Sequence, residues 1–328
     1  MSDELTIAEI LNLALKEELE RDNKVFIIGE EVANGGAYKV TKNLKAIFGE
    51  DRIVNTPICE YGFTGLSIGA AFGGLKPVVD FMTMNFSLQA IDHIINSSAK
   101  SLYMSGGLKK NSIVFRGPNG FAYGVGAQHT HDLSVMYGSV PGLKVVAPFS
   151  AKDHKGCLKK AIRDPNPVVF LENEVLYTEK FNLTETLADK NYLQEFKAVI
   201  ENTGDDITLV GISISVKICL EVSEMLKKEN ISAEVINLVS IRPLDVECVL
   251  KSVEKTKRLV IVDFNWKTFS VASEISACVN EKLFGVLKSP VQRICAKEIP
   301  TPYAKNLEEL MYPTKEKVFQ KILRSMFN

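Results

Sequence analysis

The side chains whose types could do chemistry lie in the first half of the chain. They are Glu30, Glu31, Glu60, Phe86, His129 and His131. Glu60 heads the stretch EYGFTGLSIGAAFGGLK, in which no other charge occurs before Lys76. A carboxylate placed where a core is being built is costly without a partner, and burial raises its pKa. It could be a helix N-terminal charge held by the helix dipole, or an acceptor aimed at a ligand. Spacing alone admits both. His129 and His131 fall in RGPNGFAYGVGAQHTHD, with glycines at 117, 120, 124 and 126. Such glycines let backbone approach a ligand closely, and an imidazole there could transfer protons near neutral pH. A hydrogen-bonded loop histidine is the plainer alternative. Phe86 closes FMTMNF, and its position suits either core packing or a hydrophobic staple.

Several familiar signatures are missing. The chain has no G-x-x-x-x-G-K-[ST] loop, no G-x-G-x-x-G after a strand and no G-x-S-x-G elbow. The histidines of QHTH have no third ligand at zinc spacing. The formal net charge is −1, from 39 basic and 40 acidic side chains, which disfavours nucleic acid or an anionic membrane as the main partner. No apolar run reaches the ~20 residues of a membrane span. The six cysteines are scattered, and the opening MSDELTIAEI carries no signal- or transit-peptide pattern. A reducing compartment, the cytoplasm, is therefore expected.

These residues must be positioned by secondary structure, and the pattern for it is clear. TIAEILNLALKEELER opens with a capping box, Thr6 and Glu9, and has helical apolar spacing. Strand-like KVFIIG, KPVVDFM, SIVFRG, LKVVAP and NPVVFLEN then alternate with helical segments, among them FSLQAIDHIINSSAKSLYM and AKDHKGCLKKAIRD. Alternation of this kind predicts parallel strands with crossover helices. Residues 178–205 are charged and glycine-poor, and read as a connection with room for one edge hairpin. A second alternating unit follows: strands DITLVGIS, AEVINLVSI, KRLVIVDF and VQRICA, with helices between them. The expected class is α/β, with two domains, 1–190 and 191–328, each a mostly parallel sheet flanked by helices, and a linker at about 180–204. In such sheets ligands bind beyond the carboxyl ends of the strands, where Glu30, Glu31, Glu60 and the glycine-rich loop fall.

Longer blocks carry more specific information. GEEVANGGAYKVTKNL, TPICEYGFTGLSIGAAFGGLKPVVDFMTMNFSLQAIDHIINSSAKSLYMSGG, IVFRGPNG, AQHTHD, PGLKVVAPFSAKDHKG, AIRDPNPVVFLENEVLY, SIRPLD and PTPYAKNLE follow one another at intervals over nearly the whole chain. Together they resemble the β subunits of thiamine-diphosphate-dependent 2-oxo acid dehydrogenases, those of the pyruvate dehydrogenase E1 component above all. The resemblance implies a transketolase-like pyrimidine-binding domain followed by a transketolase C-terminal-like domain. It also implies an α2β2 heterotetramer with an E1 α subunit, the cofactor lying at the α/β interface. The substrate would be pyruvate, and the acetyl group would pass to lipoyl groups of the E2 dihydrolipoamide acetyltransferase.

On this resemblance Glu60 is the glutamate that hydrogen-bonds N1′ of the cofactor's aminopyrimidine, which lets the 4′ nitrogen take the C2 proton of the thiazolium. Phe86 is the aromatic beside that ring, and His129 transfers or positions a proton during decarboxylation and acyl hand-off. His131 has at most a supporting place. Ile113, Ala161, Ile162, Asp164 and Asn166 match the family's potassium site, built from carbonyls and a carboxylate. Thiamine-diphosphate enzymes hold Mg²⁺ and the diphosphate with a G-D-G motif that this chain lacks, so the resemblance assigns those groups to the α subunit. Two stretches depart from the family pattern: GPNGFAYGVGAQHTHD at the rim of the site, and VDFNWKTF, near the subunit and E2 contacts. The neighbouring alternatives are a branched-chain 2-oxo acid or acetoin dehydrogenase subunit. A non-catalytic scaffold homologue is more distant.

Overall fold

Thr6 caps the first helix as the sequence requires: Thr6 Oγ1 accepts from the Glu9 amide at 3.3 Å, and Glu9 Oε2 accepts from the Thr6 amide at 2.8 Å. The structure is a computed structural model and describes residues 4–327. It has two units: residues 1–119 with 136–196, and residues 120–135 with 197–328. The glycine-rich loop that carries both candidate histidines thus groups with the second unit, although it interrupts the sequence of the first.

The first unit contains β1 (Glu4–Thr6), β2 (Val25–Gly29), β3 (Ile53–Asn55), β4 (Lys76–Asp80), β5 (Val114–Pro118), β6 (Lys144–Val146), β7 (Val168–Glu172) and β8 (Lys180–Asn182). Within it the strands lie in the order β6-β7-β5-β4-β2-β3, all parallel. β2, β5 and β7 are buried along their whole length, which explains their mostly apolar composition, broken only by Arg116 in β5 and Glu172 in β7. The helices are α1 (Ile7–Arg21), α2 (Leu44–Phe48), α3 (Glu60–Phe72), α4 (Ser101–Met104), α6 (Ala151–Arg163) and α7 (Glu185–Ala188); α5 (Ser134–Gly138) spans the point where the chain passes from one unit to the other.

α6 reads as a polar helix, yet Lys155 and Lys159 on it are interior. Lys155 Nζ donates to Glu17 Oε1 at 2.8 Å and to the Leu187 carbonyl at 2.6 Å, and Lys159 also pairs with Glu17. Arg163 clamps Glu18 through Nη2 at 2.6 Å and Nε at 3.0 Å. A charged seam therefore joins α1 to α6, with both lysines fully buried and hydrogen-bonded, as interior charges must be.

The segment expected as one long helix, residues 86–104, is instead broken into three pieces. A 3₁₀ stretch runs Met84–Ala90, a π-helix His93–Ser98, and α4 supplies the last turn. Serines account for part of the break. Ser101 Oγ bonds the Ser97 carbonyl, and Asn111 Nδ2 donates to Ser98 Oγ at 2.7 Å, so hydroxyls compete with the helical ladder.

In the second unit β9 (Val199–Asn202), β10 (Ile207–Gly211), β11 (Ala233–Asn237), β12 (Ser240–Arg242), β13 (Leu259–Trp266) and β14 (Gln292–Ala296) alternate with α8 (Ser215–Lys228), α9 (Val246–Thr256) and α10 (Val271–Leu283); α11 (Lys305–Met311) and α12 (Lys315–Phe327) follow. Its sheet has the order β14-β13-β10-β11-β9, parallel except for β9, which runs antiparallel to β11. The core is Ile207, Leu209, Val235, Val260 and Val262 from the sheet, against Cys219, Val222 and Leu226 of α8 and Val318 and Ile322 of α12. The connection at 178–205 holds no hairpin: β8 pairs antiparallel with β1 and β9 with β11.

Candidate active site

The candidate site is built from strand ends. β3 ends at Asn55, and the chain passes through Thr56, Pro57 and Ile58 to Cys59, which precedes α3 with φ −158° and ψ 74° and makes no side-chain cap bond. Glu60 is therefore the first residue of the helix, where the dipole favours a negative charge. It is half-buried. Among the described residues no hydrogen bond or ion pair engages its carboxyl, so the helix-terminal reading is true of its place yet leaves both oxygens open to a ligand.

Glu30, directly after β2, feels the charge of Glu60. Burial raises its pKa above the usual carboxylate range, and the charges of Glu60 and then Glu31 add to the effect. Glu31 turns away: its backbone is left-handed, at φ 57°, and its Oε2 accepts from Asn34 Nδ2 at 2.8 Å. α3 itself is anchored through Phe63, Thr64, Ser67, Ile68 and Ala71, while Tyr61, Leu66 and Phe72 are exposed. Gly65 lets His93 approach, since a Cβ there would meet His93 Nε2 at 2.8 Å. The Tyr61 and His93 rings lie 4.1 Å apart.

Phe86 is half-buried in the 3₁₀ stretch that follows β4. The Thr83 hydroxyl caps that stretch, 3.4 Å from the Asn85 amide, and the Phe86 amide donates to the Thr83 carbonyl at 3.0 Å.

His129 and His131 lie in the second unit. His129 closes a 3₁₀ turn, Ala127–His129, and is exposed. The loop is held by neighbours far along the chain. Thr130 Oγ1 lies 3.0 Å from the Gly126 carbonyl and 2.7 Å from Thr301 Oγ1, which in turn is 3.0 Å from the Tyr312 hydroxyl. The Gly124 amide donates to Glu308 Oε1 at 3.0 Å, and Phe121 packs on Phe264 and Tyr312. His131 meets the edge of Trp266 at 5.0 Å, in a groove of about 480 Å³ lined also by Ala127, Thr268, Glu298, Ile299 and Pro300.

The residues of the expected potassium site are Ala161 and Ile162 at the end of α6, Asp164 and Asn166 in the turn after it, and Ile113 just before β5. The Asp164 amide donates to the Ala161 carbonyl at 3.2 Å, and Asp164 Oδ1 accepts from the Asn166 amide at 3.0 Å. The Ile113 carbonyl accepts from Val168 at 2.9 Å. Lys144 Nζ pairs with Asp164 Oδ2, so the carboxylate charge is already met by this chain.

A buried cluster at the ends of β4, β5 and β7 escaped the sequence reading. Arg116 joins Asp80 on one side and Glu172 on the other, with Nε donating to Glu172 Oε1 at 2.6 Å. Tyr177 donates to Glu172 Oε2 at 2.5 Å, and Tyr38 to Glu174 Oε2 at 2.7 Å. Charges inside the otherwise apolar strands KPVVD, VFRGP and VVFLE were the signal that could have found it.

The strand order is that of a parallel α/β sheet, with the Glu60 carboxyl and the turn before Phe86 lying just beyond the carboxyl ends of its strands. Residues 3–180 match the transketolase pyrimidine binding domain and residues 196–318 the transketolase C-terminal domain. A split-gene transketolase described as an inactive β4 tetramer has the same fold, with a TM-score of 0.76 at 20% identity over 98% of each chain. Much nearer in sequence are pyruvate dehydrogenase E1 component β subunits. The mitochondrial one of Saccharomyces cerevisiae is 56% identical over 94% of this chain and 85% of its own length, and that of Rickettsia felis is 49% identical over 97% of each. The mitochondrial β-1 subunit of Arabidopsis thaliana is 53% identical over 99% of this chain and 90% of its own. The chain belongs to the family of pyruvate dehydrogenase E1 β subunits, within the transketolase-like thiamine-dependent proteins.

Proposed function

We propose that this chain is the β half of an α2β2 E1 component that oxidatively decarboxylates pyruvate and passes the acetyl group to lipoyl-E2, linking glycolysis to acetyl-CoA. The observation that carries the reading is the Glu60 carboxyl, open at the first turn of α3 with Glu30 beside it, in a unit that matches a pyrimidine-binding domain. Thiamine diphosphate, when bound, supplies the nucleophilic carbon and the electron sink. Glu60 would accept or share the proton at N1′ of the aminopyrimidine. Its charge is felt by Glu30, whose pKa it helps to raise, so this end of β2 disfavours a further negative charge. Phe86 would hold the ring by apolar contact.

His129, on an exposed loop tied down by Thr130, would move or position a proton for the substrate and the acyl group. Mg²⁺ and the diphosphate fall to the α subunit, since this chain has no G-D-G motif. The carbonyls of Ile113, Ala161 and Ile162, with Asp164 and Asn166, form the potassium site of the same reading, the Asp164 charge being shared with Lys144. A cytoplasmic location completes it, resting on six unpaired cysteines.

The test is reconstitution with the cognate α subunit, thiamine diphosphate and Mg²⁺, following pyruvate against 3-methyl-2-oxobutanoate with a dye acceptor. Pyruvate turnover that neither chain gives alone is the expected result. Turnover of the branched acid only would replace the substrate, and none from an assembled tetramer would leave a scaffold subunit.

A further inference from the structure

The chain leaves β4 for Phe86 through a backbone that L residues avoid. Met82 has φ 63°, and the Thr83 amide donates to the Phe81 carbonyl at 2.6 Å, which together make a tight three-residue γ-turn of the rare, strained hand. Such a turn persists only where its surroundings over-determine it. Here Asp80 Oδ1 accepts from the Met82 amide at 2.9 Å. The second oxygen of the same carboxylate takes Arg116 Nη1. Arg116 is in turn fixed in a bidentate grip by Glu172, which Tyr177 also holds. The backbone of β5 lies against the other side of the turn. The Phe81 amide donates to the Arg116 carbonyl at 3.0 Å, and a Cβ on Gly117 would come within 3.3 Å of the Met84 nitrogen.

All four side chains of the cluster are buried, so none of them presents itself to a ligand. Their arrangement bears directly on the orientation of residues 82–86. We propose that Asp80 is a positioning residue: its carboxylate, locked by Arg116 and Glu172, holds the Met82 turn and thereby sets Phe86 against the cofactor's aminopyrimidine. The proposal rests on the assignment of Phe86 made above. A residue at 82 that accepts positive φ without help should make Asp80 dispensable for cofactor binding, while leaving the lost ion pair uncompensated. Glycine is such a residue.

The experiment measures the dissociation constant of thiamine diphosphate, and separately the thermal midpoint, in the reconstituted α2β2 protein. Phe86→Ala is the control and should weaken binding about three- to tenfold, the worth of one aromatic contact. Asp80→Ala should weaken it to a similar degree and lower the thermal midpoint. Asp80→Ala with Met82→Gly should recover the affinity but not the midpoint. Met82→Val keeps every charge and forces a β-branched residue into positive φ, so it should weaken binding with Asp80 intact. It decides the matter should Asp80→Ala fail to assemble. A double variant that binds no better than Asp80→Ala, or a Met82→Val protein with wild-type affinity, overturns the proposal. If Phe86→Ala binds the cofactor normally, the assignment of Phe86 fails instead, whatever the Asp80 variants do.

Discussion

Glu60 raises the proton affinity of Glu30 across the ends of β2 and β3, second only to the burial of Glu30 itself. A carboxyl whose folded pKa lies above its unfolded value of about 4.5 contributes stability that is full below that value. The contribution is lost as pH rises through the folded pKa. A ligand that meets Glu60 with a proton offsets the Glu60 charge and should bring the Glu30 pKa down.

Glu60→Gln removes one of the two charges. The Glu30 titration should move down toward the ordinary carboxylate range, though not all the way, because burial remains. Carbon-13 shifts of labelled glutamate carboxyls would follow it. The same variant should assemble with the α subunit and lose about 10²- to 10⁴-fold in pyruvate turnover, the usual worth of a positioned acid/base group. An assembled Glu60→Gln enzyme with wild-type turnover would remove Glu60 from the chemistry.

Thr130→Val tests how the histidine loop is held. Valine keeps the shape and removes the oxygen, leaving Thr301 Oγ1 without its 2.7 Å neighbour in a buried place. The expected cost is about 1–3 kcal/mol of stability, read as a lower urea midpoint. Because His129 precedes Thr130, turnover in the tetramer should fall while thiamine diphosphate affinity holds. A variant with unchanged stability would show that the Thr130–Thr301–Tyr312 chain is incidental.

What could be read without coordinates divides along these lines. The Thr6–Glu9 cap, the parallel strands and the helices between them are local patterns, and local patterns are written in neighbouring residues. Glu60 was legible because one charge in a long apolar run is conspicuous. The three-piece course of residues 84–104 was not, since Ser98 and Ser101 look helical until their hydroxyls are seen bonding to Asn111 and to the Ser97 carbonyl. Nor was the membership of loop 120–135. It is fixed by contacts such as Thr130 with Thr301, which lie 171 positions apart, and no periodicity encodes a contact at that distance. Arg116 was passed over because strand patterns treat a charge inside a run as an exception, whereas Asp80 and Glu172 meet it from adjacent strands.

The seam between α1 and α6 should be fragile to charge removal. Glu17 is the shared acceptor of Lys155 and Lys159, both fully buried. Glu17→Gln would leave two interior ammonium groups with backbone carbonyls and a neutral amide, Lys159 keeping the more distant Glu18 Oε1 at 3.9 Å. Breaking a buried pair in this way costs about 3–5 kcal/mol. Glu17→Gln with Lys159→Met removes one cation as well and should recover part of the loss. Equal stability of the wild type and Glu17→Gln in urea unfolding would refute the account.

Asp263 offers the clearest pH signature in the second unit. It ends up buried on β13, where Oδ1 accepts from the Asn265 amide at 3.0 Å while Oδ2 has no hydrogen-bond partner among the described residues. Burial, and then the charge of Asp132 on the histidine loop, push its pKa up to about 7. Cys295 on β14 also feels it, and its thiol pKa is raised by burial and by the Asp263 charge. The unfolded carboxyl ionises near 3.8, so the stability from this group is full below that pH and is lost as pH rises to about 7. Asp263→Asn keeps an oxygen for the Asn265 amide and cannot ionise. Its stability relative to wild type should therefore climb between pH 4 and 7 and level off above, in urea midpoints taken across that range. A difference that stays flat with pH would mean that Asp263 titrates normally and that the loop carries no charge strain against β13.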